Sequence, residues 1–491
     1  MSLLKLKSGT DIRGTAVGEN TELTDEAIRK IAFAFISYLC EKTGVPKGEI
    51  TLAVGHDSRI SAERIKNALL EVFSAENIKV YDCGLSSTPA MFMTTLILGV
   101  TASVQITASH HPYDKNGLKF FTKDGGFEGE DIKAILEIAE KTEEVKTAAP
   151  EAVKTDFMSQ YCEILRKKIV EGINDGEKPL SGFKIVVDAG NGAGGFFKKL
   201  LDSLGADTNG SQFLEPDGMF PNHIPNPEDK TAMGFISRAV TENEADLGII
   251  FDTDVDRAAC VDNNGREINR NALIALSSVI ALENSKGGTI VTDSVTSSGL
   301  RDFINEHLGG VHYRYKRGYK NVINKAIELN SQGIDCPLAI ETSGHAALRE
   351  NYFLDDGAYL MVKIIILMAN LRKEGKTLSD LLAPLRVPKE EKEVRYIIDL
   401  ADFKEYGEGI IKDFEEYCEQ FPLITPADDN REGFRVNFGK WNGDGWLLIR
   451  MSVHDPVIPV NFESESEGGV EKIERFFNGF ISKYDKLRRK V

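Results

Sequence analysis

The chain has 491 residues, of which 42% are hydrophobic and 27% are charged, and its formal net charge is −17 at pH 7. This length predicts roughly three or four domains, and the composition is typical of a soluble globular protein. The net charge argues against nucleic acid or an anionic membrane as the main partner. The N-terminus has no apolar signal segment and the six cysteines form no C-x-x-C pair, so we expect a cytoplasmic enzyme with reduced thiols.

The first quarter of the chain alternates predicted strands and helices, which is typical of a mostly parallel, doubly wound sheet. One helix is predicted after its N-cap residue Thr24 and ends at Gly44. The other predicted elements are helices at about 61–73 and 129–145 and strands at 51–54 and 79–83. A charged, alanine-rich stretch at 141–154 has no strand pattern, so we place the first domain boundary near residue 155.

A serine follows the buried strand that is predicted at 102–106. The segment T-A-S-H-H-P places Ser109 at the carboxyl edge of the sheet, where open α/β folds carry their chemistry. Asn116-Gly117 predicts a hairpin turn, which would fold Lys119 back beside the serine. A hydroxyl, the imidazole of His110 and an ammonium would then converge at one loop. The alternative is a polar turn between two strands.

Three aspartates follow a strand in the second quarter. The strand predicted at 247–251 leads into D-T-D-V-D-R, which contains Asp252, Asp254 and Asp256. In an extended segment this spacing places the carboxylates on one side. Clustered anions repel unless a cation neutralises them, and oxygen ligands suit a hard ion such as Mg²⁺. The alternative is a solvated acidic turn.

Two further segments of the second quarter are rich in glycine or proline. A strand at 184–188 runs into the glycine-rich turn 189–195, which either cradles a phosphate or lets a helix pack closely on the strand. Close packing is the favoured interpretation. The four prolines of residues 216–228 exclude regular structure and predict a defined loop.

The second half of the chain contains two more units. Strands and helices alternate again, and a strand at 338–340 delivers E-T-S-G-H, which runs from Glu341 to His345. The final segment predicts a smaller α+β domain, in which R-M-S-V-H-D-P begins at Arg450 after a strand. An arginine with a nearby hydroxyl is suited to grip a phosphate.

These segments resemble the motifs of the α-D-phosphohexomutases, in the order that the family has them. The serine segment is similar to T-A-S-H-N-P followed by N-G and a lysine, with His111 in place of the asparagine. The aspartate segment is similar to the metal loop D-x-D-x-D-R, and E-T-S-G-H to the sugar-binding loop E-x-S-G-H. The phosphate loop R-x-S-x-T-E-P is matched except at His454 and Asp455, and Y-D-I-R-G is matched except at Thr10.

The resemblance implies three successive doubly wound α/β domains and a C-terminal α+β domain around a central cleft. We expect these four domains at residues 1–155, 156–266, 267–388 and 389–491. The implied catalytic residues are Arg13, Ser109, His110, Lys119 and His345. The implied metal ligands are Ser109, Asp252, Asp254 and Asp256. The implied substrate-binding residues are Arg257, Lys320, Glu341, Ser343, His345, Arg450, Ser452 and His454.

Some of these roles have structural alternatives. Arg13 is equally well interpreted as part of a structural salt bridge, and Lys320 as an exposed lysine at a helix start. His110, Lys119 and His345 are all candidates for proton transfer or charge stabilisation, and the sequence does not rank them.

The implied activity is a phosphoryl transfer. Phospho-Ser109 would donate its phosphoryl group to a hexose 1-phosphate, the 1,6-bisphosphate would reverse, and a hexose 6-phosphate would leave. The implied cofactors are Mg²⁺ and a hexose 1,6-bisphosphate activator. Mannose and glucose phosphates are the expected substrates, because E-x-S-G-H resembles the dual-specificity branch, and an amino-sugar phosphate is the alternative within the family.

Two alternatives come from other classes of protein: a metal-dependent sugar phosphatase and a non-catalytic sugar-phosphate sensor. An intact serine and aspartate triplet argue against the sensor. We expect a monomer or homodimer that binds small sugar phosphates, with no nucleic acid or membrane as partner.

Overall fold

The computed structural model describes residues 2–400, 402–452 and 455–490. The chain divides into two compact units. The first comprises the residues up to 269 together with 343–346 and 354–378, and the second comprises 270–342, 347–353 and the residues from 379 onward. Across the described ranges, none of the helices combines the length and the apolar character that a bilayer crossing needs.

The helices and strands are numbered here in chain order. The α-helices are α1 (Asp25–Thr43), α2 (Ala62–Ala75), α3 (Thr88–Ile97), α4 (Gly129–Lys141), α5 (Phe157–Ile173), α6 (Phe196–Ser203), α7 (Lys230–Asn243), α8 (Arg270–Glu283), α9 (Ser298–Asp302), α10 (Tyr319–Ser331), α11 (Gly357–Lys373), α12 (Leu378–Leu382), α13 (Phe403–Cys418) and α14 (Gly469–Ile481). The strands are β1 (Lys7–Ser8), β2 (Asp11–Thr15), β3 (Thr51–His56), β4 (Lys79–Leu85), β5 (Ala102–Ile106), β6 (Lys115–Thr122), β7 (Gly125–Gly126), β8 (Val153–Lys154), β9 (Ile185–Asp188), β10 (Leu247–Phe251), β11 (Ala258–Asp262), β12 (Glu267–Ile268), β13 (Thr289–Asp293), β14 (Val311–Tyr315), β15 (Leu338–Ile340), β16 (Ala346–Leu348), β17 (Leu354–Asp355), β18 (Glu390–Ile398), β19 (Ile424–Pro426), β20 (Phe434–Phe438), β21 (Gly445–Ile449), β22 (Val457–Ser464) and β23 (Leu487–Arg489).

The first unit begins with a sheet in the order β1-β2-β6-β5-β3-β4-β8, with β7 paired to β6. Strands β5, β3 and β4 are parallel, whereas β6 runs antiparallel to β5 and to β2. The sheet is therefore mixed rather than mostly parallel. Apolar residues of α1, α2 and α4 bury their inward faces against it and form one continuous core.

Local capping explains where α1 begins and ends. The Oγ1 atom of Thr24 accepts a hydrogen bond from the backbone N–H of Ala27, and Gly44 adopts φ = +70° at the C-cap. A left-handed residue at this position suits glycine, which has no Cβ to clash. Both predicted ends of this helix are confirmed.

The predicted hairpin at Asn116-Gly117 is wrong. Both residues lie inside the buried strand β6, and the chain reverses earlier, between β5 and β6. The Nδ2 atom of Asn116 donates to Ser61 Oγ at 2.8 Å, and a Cβ at Gly117 would lie 2.3 Å from the Ile12 carbonyl oxygen. Close packing inside the sheet, rather than a turn, therefore explains why asparagine and glycine occupy these two positions.

The first unit also contains a four-stranded sheet in the order β12-β11-β10-β9. Its strand β10 runs directly into the aspartate segment. A Cβ at Gly192 would lie 2.6 Å from the Thr253 carbonyl oxygen, so the glycine-rich turn allows the backbone to pass close to that segment. Residues 216–228, all of which are described, form a loop without a helix or strand. Helix α11 belongs to this unit and packs on α5, where Tyr161 donates to Asp356.

The second unit contains the parallel strands β14, β13 and β15, side by side in that order. It also contains an antiparallel sheet in the order β19-β20-β21-β22-β18-β23. Helices α13 and α14 cover one face of this sheet, and Phe414, Phe477 and Phe480 lie in the shared core. The predicted α+β character of the last domain is confirmed.

Candidate active site

Ser109 lies just after β5 and is 4% exposed. Its φ of +52° is in the left-handed region, which non-glycine residues seldom adopt. The serine hydroxyl donates to Asp252 Oδ2 at 3.0 Å and accepts from Arg257 Nη2 at 3.0 Å. The serine oxygen is therefore held between a carboxylate and a guanidinium, and the guanidinium could bind an anionic group carried on this oxygen.

The two histidines after the serine are both neutral near pH 7. His110 Nδ1 accepts a hydrogen bond from Arg257 Nη2 at 2.7 Å. Burial, reinforced by the Arg257 charge, lowers the pKa of His110 far below its usual value. Burial and the nearby arginines lower the pKa of His111 to about 4. His110 is thus placed to accept a hydrogen bond at the site rather than to carry a charge.

Asp252, Asp254 and Asp256 converge, but not in the way that the sequence predicted. They lie in a turn after β10 rather than in an extended segment, and Val255 has φ = +66°. One ligand atom from each aspartate lies within 4.8 Å of the others. All three residues are buried. The tight turn therefore brings together charges that strand alternation alone would have spread further apart.

The chemistry of this cluster fits a divalent metal. Among the described residues, the Oδ1 atoms of Asp254 and Asp256 are buried without a hydrogen-bond partner. Lys119 Nζ neutralises part of the charge from β6, at 3.0 Å from Asp254 Oδ2 and 2.5 Å from Asp256 Oδ2. Burial and the Asp256 charge raise the pKa of Asp252, whereas the charges of Lys119, His345 and Arg257 together outweigh burial and lower the pKa of Asp256. Buried oxygens without donors are the ligands that a hard cation prefers.

His345 belongs to the same unit and is oriented by a carboxylate. Its Nδ1 makes a short hydrogen bond with Asp355 Oδ2, and Asp355 Oδ1 accepts from the N–H of Ala346 at 3.0 Å. Burial alone would lower the pKa of His345, but Asp355 and Asp256 raise it to about 9. A backbone bridge between Arg257 and His345 connects this residue to the aspartate turn.

Arg13 and Ser343 are also part of the first unit. Arg13 lies on β2, and its Nη2 is 2.7 Å from Asp11 Oδ2, as the salt-bridge alternative expects. Its charge also contributes to the low pKa of His110 and His111. Ser343 is buried just before Gly344, whose φ is +93°.

The second unit contains Glu341, which follows β15, and Lys320, in the first turn of α10. Glu341 Oε1 accepts a hydrogen bond from the Gly318 N–H at 2.6 Å. This bond fixes the carboxylate beside the start of α10. Lys320 is partly buried rather than fully exposed.

Arg450 follows β21 in the second unit and is 4% exposed. Its Nε is buried without a hydrogen-bond partner among the described residues, and its Nη1 is 3.4 Å from the Met451 carbonyl oxygen. Burial lowers the pKa of this guanidinium. Ser452 Oγ accepts from the Asp455 N–H at 3.3 Å. The predicted contact residue His454 lies outside the described residues.

The structure thus assembles one cluster in the first unit from most of the predicted catalytic and metal residues. This cluster comprises Ser109, His110, Lys119, Asp252, Asp254, Asp256, Arg257 and His345. Arg257 is fully engaged with Ser109, His110 and Asp252. Lys320, Glu341, Arg450 and Ser452 belong to the second unit.

Sequence reasoning missed several residues that hold this cluster in place. Thr88 at the start of α3 makes a short hydrogen bond to Asp254. Asp355 orients His345 from ten positions further along the chain. Arg59 donates to the backbone of the Ser109 loop. The sequence did show that Arg59 follows a buried strand closely, which is a common place for a functional residue. It did not show its partners, which lie about fifty positions further along the chain.

Three family models match most of the chain. They are the α/β/α domains I, II and III of phosphoglucomutase/phosphomannomutase, at residues 5–146, 132–265 and 269–387. The chain is 30% identical over 469 residues to a phosphoglucomutase/phosphomannomutase of Thermococcus kodakarensis, covering 94% of this chain and 95% of that protein. It is 29% identical to a phosphomannomutase/phosphoglucomutase of Pseudomonas aeruginosa, covering 97% and 95%.

A solved structure is similar over nearly the full length. It is a phosphoglucomutase/phosphomannomutase family protein from Burkholderia thailandensis, with a TM-score of 0.79 and 25% identity, covering 98% of each chain.

Proposed function

The chain belongs to the phosphoglucomutase/phosphomannomutase family of the α-D-phosphohexomutase superfamily, and on that premise we propose that it interconverts hexose 1-phosphates and hexose 6-phosphates. We propose mannose and glucose phosphates as the substrates, since the relatives named above carry both names. The reaction is an intramolecular phosphotransfer that passes through a phosphoserine and a 1,6-bisphosphate.

The observation that supports this proposal most strongly is the position of the Ser109 hydroxyl. It lies 3.0 Å from both Asp252 and Arg257, next to the buried aspartate cluster. A serine that only stabilised the fold would not need a buried, cation-flanked setting in a strained backbone conformation. A phosphoryl group on this oxygen would meet the guanidinium of Arg257 directly.

The aspartate cluster provides the metal site in this proposal. Asp252, Asp254 and Asp256 would hold Mg²⁺, together with the phosphoryl oxygens on Ser109. When bound, the ion supplies electrostatic stabilisation of the charge on the transferring phosphoryl group. Lys119 balances the remaining negative charge of the cluster through Asp254 and Asp256.

In this proposal, side chains of the protein accept the proton of the sugar hydroxyl and stabilise the serine oxygen that leaves the phosphorus. In the first transfer the P–O bond to Ser109 Oγ breaks and a P–O bond to the sugar hydroxyl forms. Arg257 Nη2 donates to the Ser109 oxygen and stabilises it as it leaves. We assign the proton of the sugar hydroxyl to His345, whose Nδ1 is fixed by Asp355: its neutral imidazole would accept the proton, and Asp355 and Asp256 stabilise the imidazolium that results.

We propose that residues of the second unit recognise the substrate. Glu341, whose carboxylate is fixed by the Gly318 N–H, would accept hydrogen bonds from sugar hydroxyls. Arg450 would bind the phosphate that is not reacting, since its buried Nε has no protein acceptor among the described residues. Lys320, Ser452 and His454 of the second unit, together with Arg257, Ser343 and His345 of the first unit, complete the proposed substrate-binding set.

A coupled assay for the 6-phosphate product tests the proposal. Mannose, glucose and N-acetylglucosamine 1-phosphates are offered in parallel, with Mg²⁺ and a trace of glucose 1,6-bisphosphate. We expect turnover of the mannose and glucose substrates without release of inorganic phosphate. Release of phosphate would instead indicate a phosphatase, preferential turnover of the amino sugar would replace the proposed substrate, and binding without turnover would indicate a sensor.

Several finer points are proposals as well. We propose domain limits at residues 155, 266 and 388; the matched family segments support the last two, and the pairing of β8 with β4 in the first sheet supports the first. We also propose a cytoplasmic location, a monomer or homodimer, and activation by hexose 1,6-bisphosphate. Light scattering coupled to size-exclusion chromatography tests the oligomeric state.

A further inference from the structure

Arg59 sits between β3 and α2 with its side chain completely buried. Its guanidinium donates to four backbone carbonyl groups, all of them in the segment that carries Ser109. Nη1 donates to Pro112 at 2.7 Å and to Lys115 at 2.8 Å, and Nη2 donates to Ser109 and His111 at 2.5 Å each. One side chain therefore holds nearly the whole turn between β5 and β6.

Asp57 connects Arg59 to the other side of the same loop. Its Oδ2 lies 3.3 Å from Arg59 Nε and accepts from Thr107 Oγ1 at 2.6 Å. Thr107 Oγ1 in turn accepts from the N–H of Ser109 at 2.9 Å. Ser109 is thus held at its N–H through Thr107 and at its carbonyl through Arg59.

This double grip explains how Ser109 keeps an unfavourable backbone conformation. A serine with φ = +52° persists only where the surrounding structure fixes it. Rotation of the backbone out of this conformation would turn Oγ away from Asp252 and Arg257. The carbonyl contacts of Arg59 oppose that rotation directly.

The proline-rich loop of residues 216–228 covers Arg59. The Phe220 ring lies 5.2 Å from the guanidinium carbon, and a Cβ at Gly218 would lie 2.5 Å from the backbone of Ser58 and of Ile60. This loop therefore shields Arg59 from solvent on one side. The hydrogen bond from Arg59 to Ser109 is to the backbone carbonyl of the serine.

We propose that Arg59 is a positioning residue for phosphoryl transfer, which holds the Ser109 loop so that Oγ faces Asp252 and Arg257. This inference rests on the proposed mutase function. Arg59 acts through the loop backbone, and its contact with Ser109 is at the carbonyl, not at Oγ. A lysine would keep the positive charge but lose the fork that reaches four carbonyls.

The test compares Arg59→Lys with Arg64→Lys. Arg64 lies in α2 and also donates to two loop carbonyls, those of Ala16 and Leu23, at 2.9 Å each. We expect Arg59→Lys to lower kcat by about 100-fold, because misplacing a reacting group by about 1 Å has an effect of that size. We expect KM to stay within about twofold, because the substrate-binding groups are unchanged. Arg64→Lys should lower the thermal midpoint while kcat stays near wild type.

A second readout follows the serine itself. Wild type and both variants are incubated with ³²P-labelled glucose 1,6-bisphosphate, and the rate of Ser109 labelling is measured. We expect slow labelling in Arg59→Lys alone. If Arg59→Lys does not fold, Thr107→Val replaces it, since valine has the same shape and lacks the hydroxyl that links Asp57 to Ser109.

Two outcomes would overturn the inference while leaving the mutase intact. One is an Arg59→Lys or Thr107→Val enzyme with wild-type kcat and labelling. The other is a fall in kcat that is proportional to the fall in thermal midpoint and is equally large in Arg59→Lys and Arg64→Lys. If the wild-type enzyme neither turns over sugar phosphates nor becomes labelled, the proposed function fails, and the inference fails with it.

Discussion

The hydroxyl oxygen of Ser109 lies 3.0 Å from a carboxylate oxygen of Asp252, although 143 positions separate the two residues in the chain. The contact joins the end of β5 to the turn after β10, so two sheets of the first unit deliver the serine and the aspartate cluster to one place.

Turnover should require a divalent metal held by the aspartate cluster. Treatment with a chelator should abolish activity, and added Mg²⁺ should restore it. Asp254→Asn should lower kcat by about 100-fold or more, because it removes a buried ligand that stabilises the transferring charge. Mg²⁺ should also raise the thermal midpoint, since it relieves repulsion among three buried carboxylates.

The matched control for the metal prediction is Asp124→Asn, which changes an exposed carboxylate in the turn between β6 and β7. It should leave both activity and the Mg²⁺-dependent rise in midpoint unchanged. Full activity after exhaustive chelation would contradict the assignment of a metal to this cluster.

Asp355→Asn should impair catalysis more than stability. The change removes the charge that pairs with His345 but keeps an acceptor for the Ala346 N–H. We expect kcat to fall by about 100-fold, which is typical for the loss of a general acid or base. The neighbouring variant Asp356→Asn serves as control, because Asp356 caps α11 and bonds Tyr161. Asp356→Asn should lower the thermal midpoint and largely spare kcat. A fall in kcat for Asp356→Asn, with unchanged kcat for Asp355→Asn, would refute the role given to His345.

Arg450→Lys should weaken substrate binding. A hydrogen bond to a charged group contributes about 1.5–3 kcal/mol, so KM for the sugar phosphate should rise by about 10- to 100-fold. The control is Arg395→Lys, an exposed arginine of β18 in the same sheet, paired with Glu393. Steady-state kinetics on both variants make the comparison, and an unchanged KM in Arg450→Lys would argue against a phosphate at this position.

A buried histidine–aspartate pair in the first unit should make stability depend on pH. His223 Nε2 lies 3.1 Å from Asp188, and both side chains are fully buried. Burial alone would lower the pKa of His223, but Asp188 and the Ile224 carbonyl raise it above its usual value. A histidine whose pKa is raised by folding stabilises the protein fully below its unfolded pKa of about 6.5, and this stabilisation is lost as the pH rises through the folded pKa.

Thermal midpoints of wild type and His223→Gln at about pH 6 and about pH 9 test this prediction. The midpoint of the wild type should exceed that of the variant by more at the lower pH. A difference that stays constant, or grows toward the higher pH, would show that the pair does not carry a charge.

The sequence predicted the aspartate cluster correctly but for the wrong geometrical reason. Alternation along a strand was expected to align the carboxylates, whereas a turn with a left-handed Val255 brings them together. Residue spacing was sufficient to predict that the three carboxylates cluster, because any compact backbone path through D-x-D-x-D brings them together. The backbone path itself depends on packing against Gly192, which is about sixty positions earlier in the chain.

Residues that act through the backbone were beyond sequence reasoning. The Arg59 side chain donates to carbonyl oxygens, which every residue has, so no pattern of side chains marks its partners. Asn116-Gly117 was misassigned as a turn because the local signal for a hairpin is strong, but tertiary packing within β6 overrides it. Helix α3 was missed because its run T-P-A-M-F-M is apolar on all sides, without the one-sided pattern of a surface helix.

The measurement that tests the central claim most directly is the phosphorylation of Ser109. The wild-type enzyme is incubated with ³²P-labelled glucose 1,6-bisphosphate, digested, and its labelled peptide identified by mass spectrometry, alongside Ser109→Ala and the control Ser58→Ala. Ser58 is a nearby serine whose buried hydroxyl has no partner among the described residues. The account predicts label on Ser109, its loss to added hexose 1-phosphate as 6-phosphate product forms, and no label or turnover in Ser109→Ala alone. Undiminished turnover by Ser109→Ala, or label on another residue, would contradict it.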